Sequence, residues 1–107
     1  MNISFEDFKK IDLRVARILE VEKIEDSEKL FKVKIDVGGE ERILVSGVSN
    51  YYKPEDLIQK QVIVILNLEP KIIFGVESHG MILFARDKGK PIVLSPEEEV
   101  ADGAIIS

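Results

Sequence analysis

The segment from Leu30 to Val37 most limits what this chain can become. Phe31, Val33, Ile35 and Val37 alternate with Lys32, Lys34 and Asp36, the period of two that fits a half-buried strand and not a helix. Gly38-Gly39 follows as a hairpin signal, and Glu41 to Ser46 returns with Ile43 and Val45 in alternation. Two registers are open. A two-residue loop sets Val33 against Leu44 and Ile43 against Lys34. A three-residue loop sets Val33 against Val45, Ile35 against Ile43 and Asp36 against Arg42. The second keeps apolar residues together and is the expected one, because a slip of one residue exchanges the two faces.

The flanking segments extend the same pattern. Leu13 to Ile24 is a long strand candidate in which Arg17 falls on the apolar phase between Val15 and Leu19. A bulge or bend near Ala16 restores the alternation. Val62 to Leu68 is almost unbroken apolar, so a central strand is expected there. Gly80 to Ala85 and Ile92 to Leu94 read as further strands, separated by a turn at Asp87-Lys88-Gly89-Lys90. Helix signals are short. Ser4 is an N-cap with Asp7 three residues on, Ile3 and Phe8 stand at staple positions, and Pro54-Glu55-Asp56-Leu57 opens a single turn. Five or six strands, with a short helix between the third and fourth, suit a small closed barrel of the oligonucleotide/oligosaccharide-binding (OB) type. A simple antiparallel sandwich is the competing architecture.

Composition narrows the chemistry. The 107 residues point to one domain over residues 1–107, without repeats. Cys is absent and His79 is the only histidine, which excludes thiol chemistry, disulfides and a multi-histidine or cysteine metal site. Ser78 beside His79 is a neighbour in sequence and not an oriented nucleophile–base pair. Gly38-Gly39 lacks the context of a phosphate loop, and the acidic residues are scattered. We therefore expect no catalytic residue, no metal and no cofactor. The start carries no signal-peptide pattern, and the longest apolar run, Val62 to Leu66, is far too short to span a bilayer. The expectation is a cytoplasmic protein that does not enter a membrane.

Binding has better support than catalysis. The polar face of the second and third strands is expected to carry Lys32, Lys34, Arg42 and Ser46. In Asn67-Leu68-Glu69-Pro70-Lys71, an amide and a cation meet where the apolar strand ends, before the polar loop Gly75 to Met81. Loops joining strands 1–2 and 4–5 flank the ligand groove of OB barrels; a long polar hairpin with unusual glycine dihedrals is the plainer alternative. Tyr51 and Tyr52 can stack on bases, although such a pair is expected to split between core and surface. The net charge of −5 argues against a purely electrostatic nucleic-acid binder. Nucleic-acid binding then requires Lys29, Lys32, Lys34, Arg42 and Lys71 to gather on one side, apart from the acids.

Taken in order, these pieces resemble the tRNA-binding-domain family, which includes small stand-alone tRNA-binding proteins and the C-terminal domain or beta subunit of methionyl-tRNA synthetase. The resembling residues are Ile11-Asp12-Leu13-Arg14-Val15, Glu28-Lys29-Leu30, Val45-Ser46-Gly47, Tyr51-Tyr52-Lys53-Pro54-Glu55, Asn67-Leu68-Glu69-Pro70-Lys71, Gly75-Val76-Glu77-Ser78-His79-Gly80-Met81 and Leu94-Ser95-Pro96. The resemblance implies an all-β, five-stranded OB-fold barrel with short helices and a C-terminal extension that forms a homodimer. It implies structure-specific tRNA binding, alone or as an accessory of an aminoacyl-tRNA synthetase. Family positions place RNA contacts on Lys29, Lys32, Arg42, Ser46, Asn67, Lys71, Ser78 and Met81, with cations on phosphates and the Asn and Ser groups on bases or 2′-hydroxyls.

Three departures stand out. Ala16 replaces the family's usual Gly. Glu25-Asp26-Ser27-Glu28 is more acidic than usual. Lys71-Ile72-Ile73-Phe74-Gly75 carries one cation where relatives often carry two or three. Each missing phosphate contact reduces the salt slope by about one. The acidic balance and the apolar Ile72-Ile73-Phe74 favour a competing function, a dimeric chaperone-like or protein-interaction module. The apolar Ala104-Ile105-Ile106 is the feature that suggests a dimer; the alternative is that it pairs with its own sheet.

Overall fold

A computed structural model describes residues 1–107. Two single-turn helices, α1 (Phe5–Phe8) and α2 (Pro54–Leu57), accompany ten strands. The barrel strands are β1 (Leu13–Lys23), β2 (Phe31–Asp36), β3 (Glu41–Ser46), β4 (Gln61–Ile65) and β7 (Met81–Ile82). Their hydrogen-bonded order is β3-β2-β1-β4-β7. Two small hairpins stand off this sheet, β5 (Lys71–Ile73) with β6 (Val76–Ser78), and β8 (Phe84–Asp87) with β9 (Lys90–Val93). The last strand, β10 (Ile105–Ile106), pairs with β1. The all-β barrel expected from the strand order is the observed architecture, and the sandwich is not.

The β2–β3 hairpin takes the two-residue-loop register and not the expected three-residue one. Val33 faces Leu44, Ile35 faces Arg42, and Lys34 faces Ile43 around a two-residue turn. Gly38 and Gly39 both have positive φ, at 90° and 100°, which a tight two-residue hairpin turn demands. Asp36 fixes the turn by accepting from both glycine amides at 2.9 and 2.8 Å. Core packing explains the outcome. Leu44 is fully buried beside Val33 and Ile35, whereas Ile43 and Val45 lie on the other face with Lys34 and Lys32. One buried leucine thus outweighs two cross-strand apolar pairs.

The irregularity in β1 also differs from expectation. It falls between Ile18 and Glu20, with Leu19 as the extra residue, and not at Ala16. Ala16 and Ile18 point into the core, and the phase shift at Leu19 returns Val21 to it. β1 can then serve two neighbours on one edge. Residues 17–23 pair with β2, and at the start of the strand Leu13 and Arg14 pair with Ile106 and Ile105. The opposite edge pairs with β4. The C-terminal segment therefore completes its own sheet.

Arg17 is the reason for the polar residue on an apolar phase. Its Nε donates to Asp102 at 3.2 Å, Nη2 donates to Glu99 at 2.7 Å, and Nη1 donates to the Gln59 carbonyl at 2.9 Å. Gln61 adds bonds to the Val100 carbonyl and to Asp102 at 2.7 and 2.8 Å. These groups clasp the extension onto the barrel.

The core is a fourteen-residue cluster from β1–β4, α2, β7 and the connections between them. Its fully buried members include Ile18, Val33, Ile35, Leu44, Val62 and Val64. Leu57 brings α2 into that cluster. Ser4 caps α1 through its hydroxyl, which accepts from the Asp7 amide at 3.0 Å, while Ile3 stays exposed. The two tyrosines split as expected. Tyr52 packs against the core, accepting from the Val93 amide and donating to the Pro91 carbonyl, and Tyr51 lies at the surface.

Candidate nucleic-acid interface

The connection from β4 to β7 builds one wall of the candidate site. β4 ends at Ile65, earlier than its apolar run suggests, and the segment read as a polar loop is the β5–β6 hairpin. Lys71 faces Ser78, Ile72 faces Glu77 and Ile73 faces Val76, so the turn is Phe74-Gly75. The chain then re-enters the barrel through Gly80. There φ is +130°, and a Cβ would sit 2.7 Å from the Ile65 carbonyl oxygen, so only glycine fits.

This connection closes the barrel against β3. The His79 amide donates to the Ile43 carbonyl at 2.9 Å. Ser78 Oγ accepts from the Val45 amide at 3.0 Å and donates to the Gly80 carbonyl at 3.2 Å. A side-chain oxygen therefore occupies the place of a ladder carbonyl, and Ser78 is only 6% exposed.

The expected contact residues separate into three groups. Ser46 and Arg42 lie on the inward side of β3 with Leu44, not on the outward face with Lys32 and Lys34 as expected. Ser46 is buried, opposite Phe31. Arg42 Nε donates to Glu40 at 2.7 Å, and its Nη1 donates to the Leu66 carbonyl at 2.8 Å and to the His79 carbonyl at 3.4 Å. Asn67 is exposed but occupied, accepting from the Asp12 amide at 2.9 Å and donating to the Lys10 carbonyl. With Ser78, these residues hold the frame together.

The strand-face cations form the second group. Lys32 lies 3.6 Å from Glu22, while Lys34 lies 3.6 Å from Glu20 and 3.2 Å from Glu41. Glu22 and Glu20 stand directly opposite them in the β1–β2 ladder. The hydrogen bond to Glu41 and then the charge of Glu20 raise the Lys34 ammonium above its ordinary pKa. The outward face is thus a ladder of alternating charge, and these cations do not gather apart from the acids. The alternation of Glu20 and Glu22 in β1 was the sequence signal for this pairing, readable once β1 is set against β2.

The third group stays open. Lys29, on the β1–β2 connection, and Lys71, at the start of the β5–β6 hairpin, are exposed and have no acidic partner within ion-pair distance. Met81 is 46% exposed and borders a hollow of about 250 Å³ whose lining joins Val45, Leu68, Ile73, Ser78 and Gly80 with Lys71 and Glu69. A larger groove of about 650 Å³ runs between β3 and the hairpin, lined by Lys32, Arg42 and His79 among Glu40, Glu41 and Glu77. No cluster of three metal-ligating side chains is present. No helix is long and apolar enough to cross a membrane.

Comparison with known proteins gives a consistent result. The family model for a tRNA binding domain matches residues 13–104. The methionine–tRNA ligase of Pyrococcus furiosus is 51% identical over 102 residues, which is 95% of this chain and 14% of the ligase. The chain thus spans about one seventh of that relative's length. Among solved structures, a MetRS-related protein from Pyrococcus horikoshii superposes with a TM-score of 0.95 at 36% identity, covering 100% of this chain and 99% of that one. The chaperone CsaA of Bacillus anthracis superposes with a TM-score of 0.90 at 28% identity, covering 100% of both chains.

Proposed function

This chain belongs to the tRNA binding domain family, and we propose that it binds tRNA by shape and backbone, alone or as an accessory of a methionyl-type aminoacyl-tRNA synthetase. One observation carries the reading. The two cations of the expected set that lack acidic partners, Lys29 and Lys71, lie on the two connections that flank the ligand groove of OB barrels. As unpaired cations, both can take phosphates. Met81 and the hollow beside Lys71 offer an adjoining apolar contact. Lys32 contributes after giving up Glu22, its exposed partner. Arg42, Ser46, Asn67 and Ser78 act by shaping this surface. The identity to a methionine–tRNA ligase supports the synthetase connection.

We include a homodimer in the proposal. Ile105 is 71% exposed although β10 is paired with β1, which leaves an apolar side chain free for a second copy. Sedimentation equilibrium is expected to give twice the chain mass, and a monomer across concentrations rejects the dimer.

A second reading is favoured by the pairing of Lys32, Lys34 and Arg42 with glutamates, by the exposed Ile72 and Phe74 and by the likeness to a protein named a chaperone. In that reading the chain binds unfolded polypeptide. Filter binding at low salt separates the two. Retention of tRNA at micromolar protein supports the first; no retention, with suppression of client aggregation, supports the second.

A further inference from the structure

We propose that Phe74 is a stacking platform for an unpaired, unstacked nucleobase of a structured RNA, an inference that rests on the tRNA-binding reading. The tip of the β5–β6 hairpin is a two-residue turn with positive φ at both positions, 49° at Phe74 and 78° at Gly75. Folding alone selects Asn or Asp ahead of the glycine in such a turn, because a bulky side chain is strained there. Phe74 is also 61% exposed, and Ile72 on the same hairpin is 72% exposed. The ring therefore fits neither the turn nor the core, and the hairpin carries it at a local cost.

The occupant follows from the charges. Glutamates pair with the cations of the strand face, so little of that face is left to neutralise phosphates. Lys71 begins the same hairpin and has no acidic partner. A free cation three residues before an open ring on one hairpin matches one phosphate and one base of the same polynucleotide. Unstacked bases of RNA loops and ends are taken up on aromatic side chains, and such stacking does not depend on base identity. Binding through a ring also accounts for a hairpin that keeps a single cation.

Phe74→Asn is the primary variant, since Asn accepts positive φ and preserves the turn. Its expected phenotype is equal or higher thermal stability with tRNA affinity weakened about 5- to 150-fold, the range of one lost base stack. The slope of log K against log salt stays unchanged, because no phosphate contact is lost. Phe74→Trp places the only tryptophan in the chain at the tip, and its emission is expected to quench on adding tRNA with affinity near that of the parent. Undiminished tRNA affinity in Phe74→Asn, or no quenching in a Phe74→Trp protein that binds tRNA, overturns the inference and leaves tRNA binding standing. Loss of client-aggregation suppression in Phe74→Asn with tRNA affinity intact also overturns it and assigns the ring to polypeptide. Absence of tRNA binding by the parent chain rejects the tRNA-binding reading and the stacking role with it.

Discussion

Removing the Ser78 hydroxyl tests how the barrel is closed. Ser78→Ala leaves the Val45 amide without its acceptor at 3.0 Å and the Gly80 carbonyl without its donor at 3.2 Å. Ser78 is buried, so water does not readily replace the lost oxygen. A buried backbone donor left unpaired costs about 1–3 kcal/mol. At this chain length each kcal/mol moves the melting temperature by roughly 4–5 °C, so a fall of roughly 5–15 °C is expected. Circular dichroism melts give that shift, and urea titration gives the stability change at constant temperature. Amide exchange adds a local readout, since the Val45 N–H is expected to lose protection more than the Val33 and Ile35 amides across the sheet. A melting temperature within about 2 °C of the parent, with Val45 protection retained, refutes the closure argument. Unchanged stability combined with weakened tRNA binding would reassign the hydroxyl to a contact role.

Three further predictions concern the frame. Leu44→Ala removes a fully buried side chain and is expected to cost about 2–5 kcal/mol, measured by urea unfolding. Arg17→Met releases Asp102, Glu99 and the Gln59 carbonyl; hydrogen exchange at the Val15 and Gly103 amides, which bond across between β1 and the extension, is expected to speed up selectively while the barrel core keeps its protection. Lys34 has a folded pKa raised above 10.5 by Glu41 and Glu20, so its contribution is complete below that value and is lost as pH rises through the raised pKa. Lys34→Met is expected to flatten the alkaline limb of stability against pH, and an unchanged limb contradicts the pairing.

Short-range signals carried much of the fold. Alternation over Phe31 to Val37, the double glycine and the Ser4 cap each depend on neighbours a few residues away, and each is present in the structure. The β2–β3 register was not legible, because cross-strand pairing and core filling gave opposite answers. The core decides, and only the closed barrel shows which side of β3 is inside. The bulge position escaped for the same reason. Ala16 and Val15 are both buried, so hydropathy alone does not mark the phase change at Leu19. Arg17 was visible as a misfit, but its acidic partners lie more than eighty residues away in the extension. For the candidate site, residue identity located the two flanking connections. It did not separate frame groups such as Ser78 and Asn67 from the free cations, because that distinction lies in hydrogen bonds made across the barrel.

We propose Lys29 and Lys71 as the phosphate-binding cations of a tRNA surface. Salt-titrated tRNA binding by the parent chain and by Lys29→Ala/Lys71→Ala tests it most directly. The parent is expected to bind with a negative slope of log K against log salt, and the double variant to bind more weakly with a slope shallower by about 1.4–1.8, two contacts at 0.7–0.9 each. No tRNA binding by the parent at low salt, or a double variant with the parent's slope and affinity, contradicts the claim.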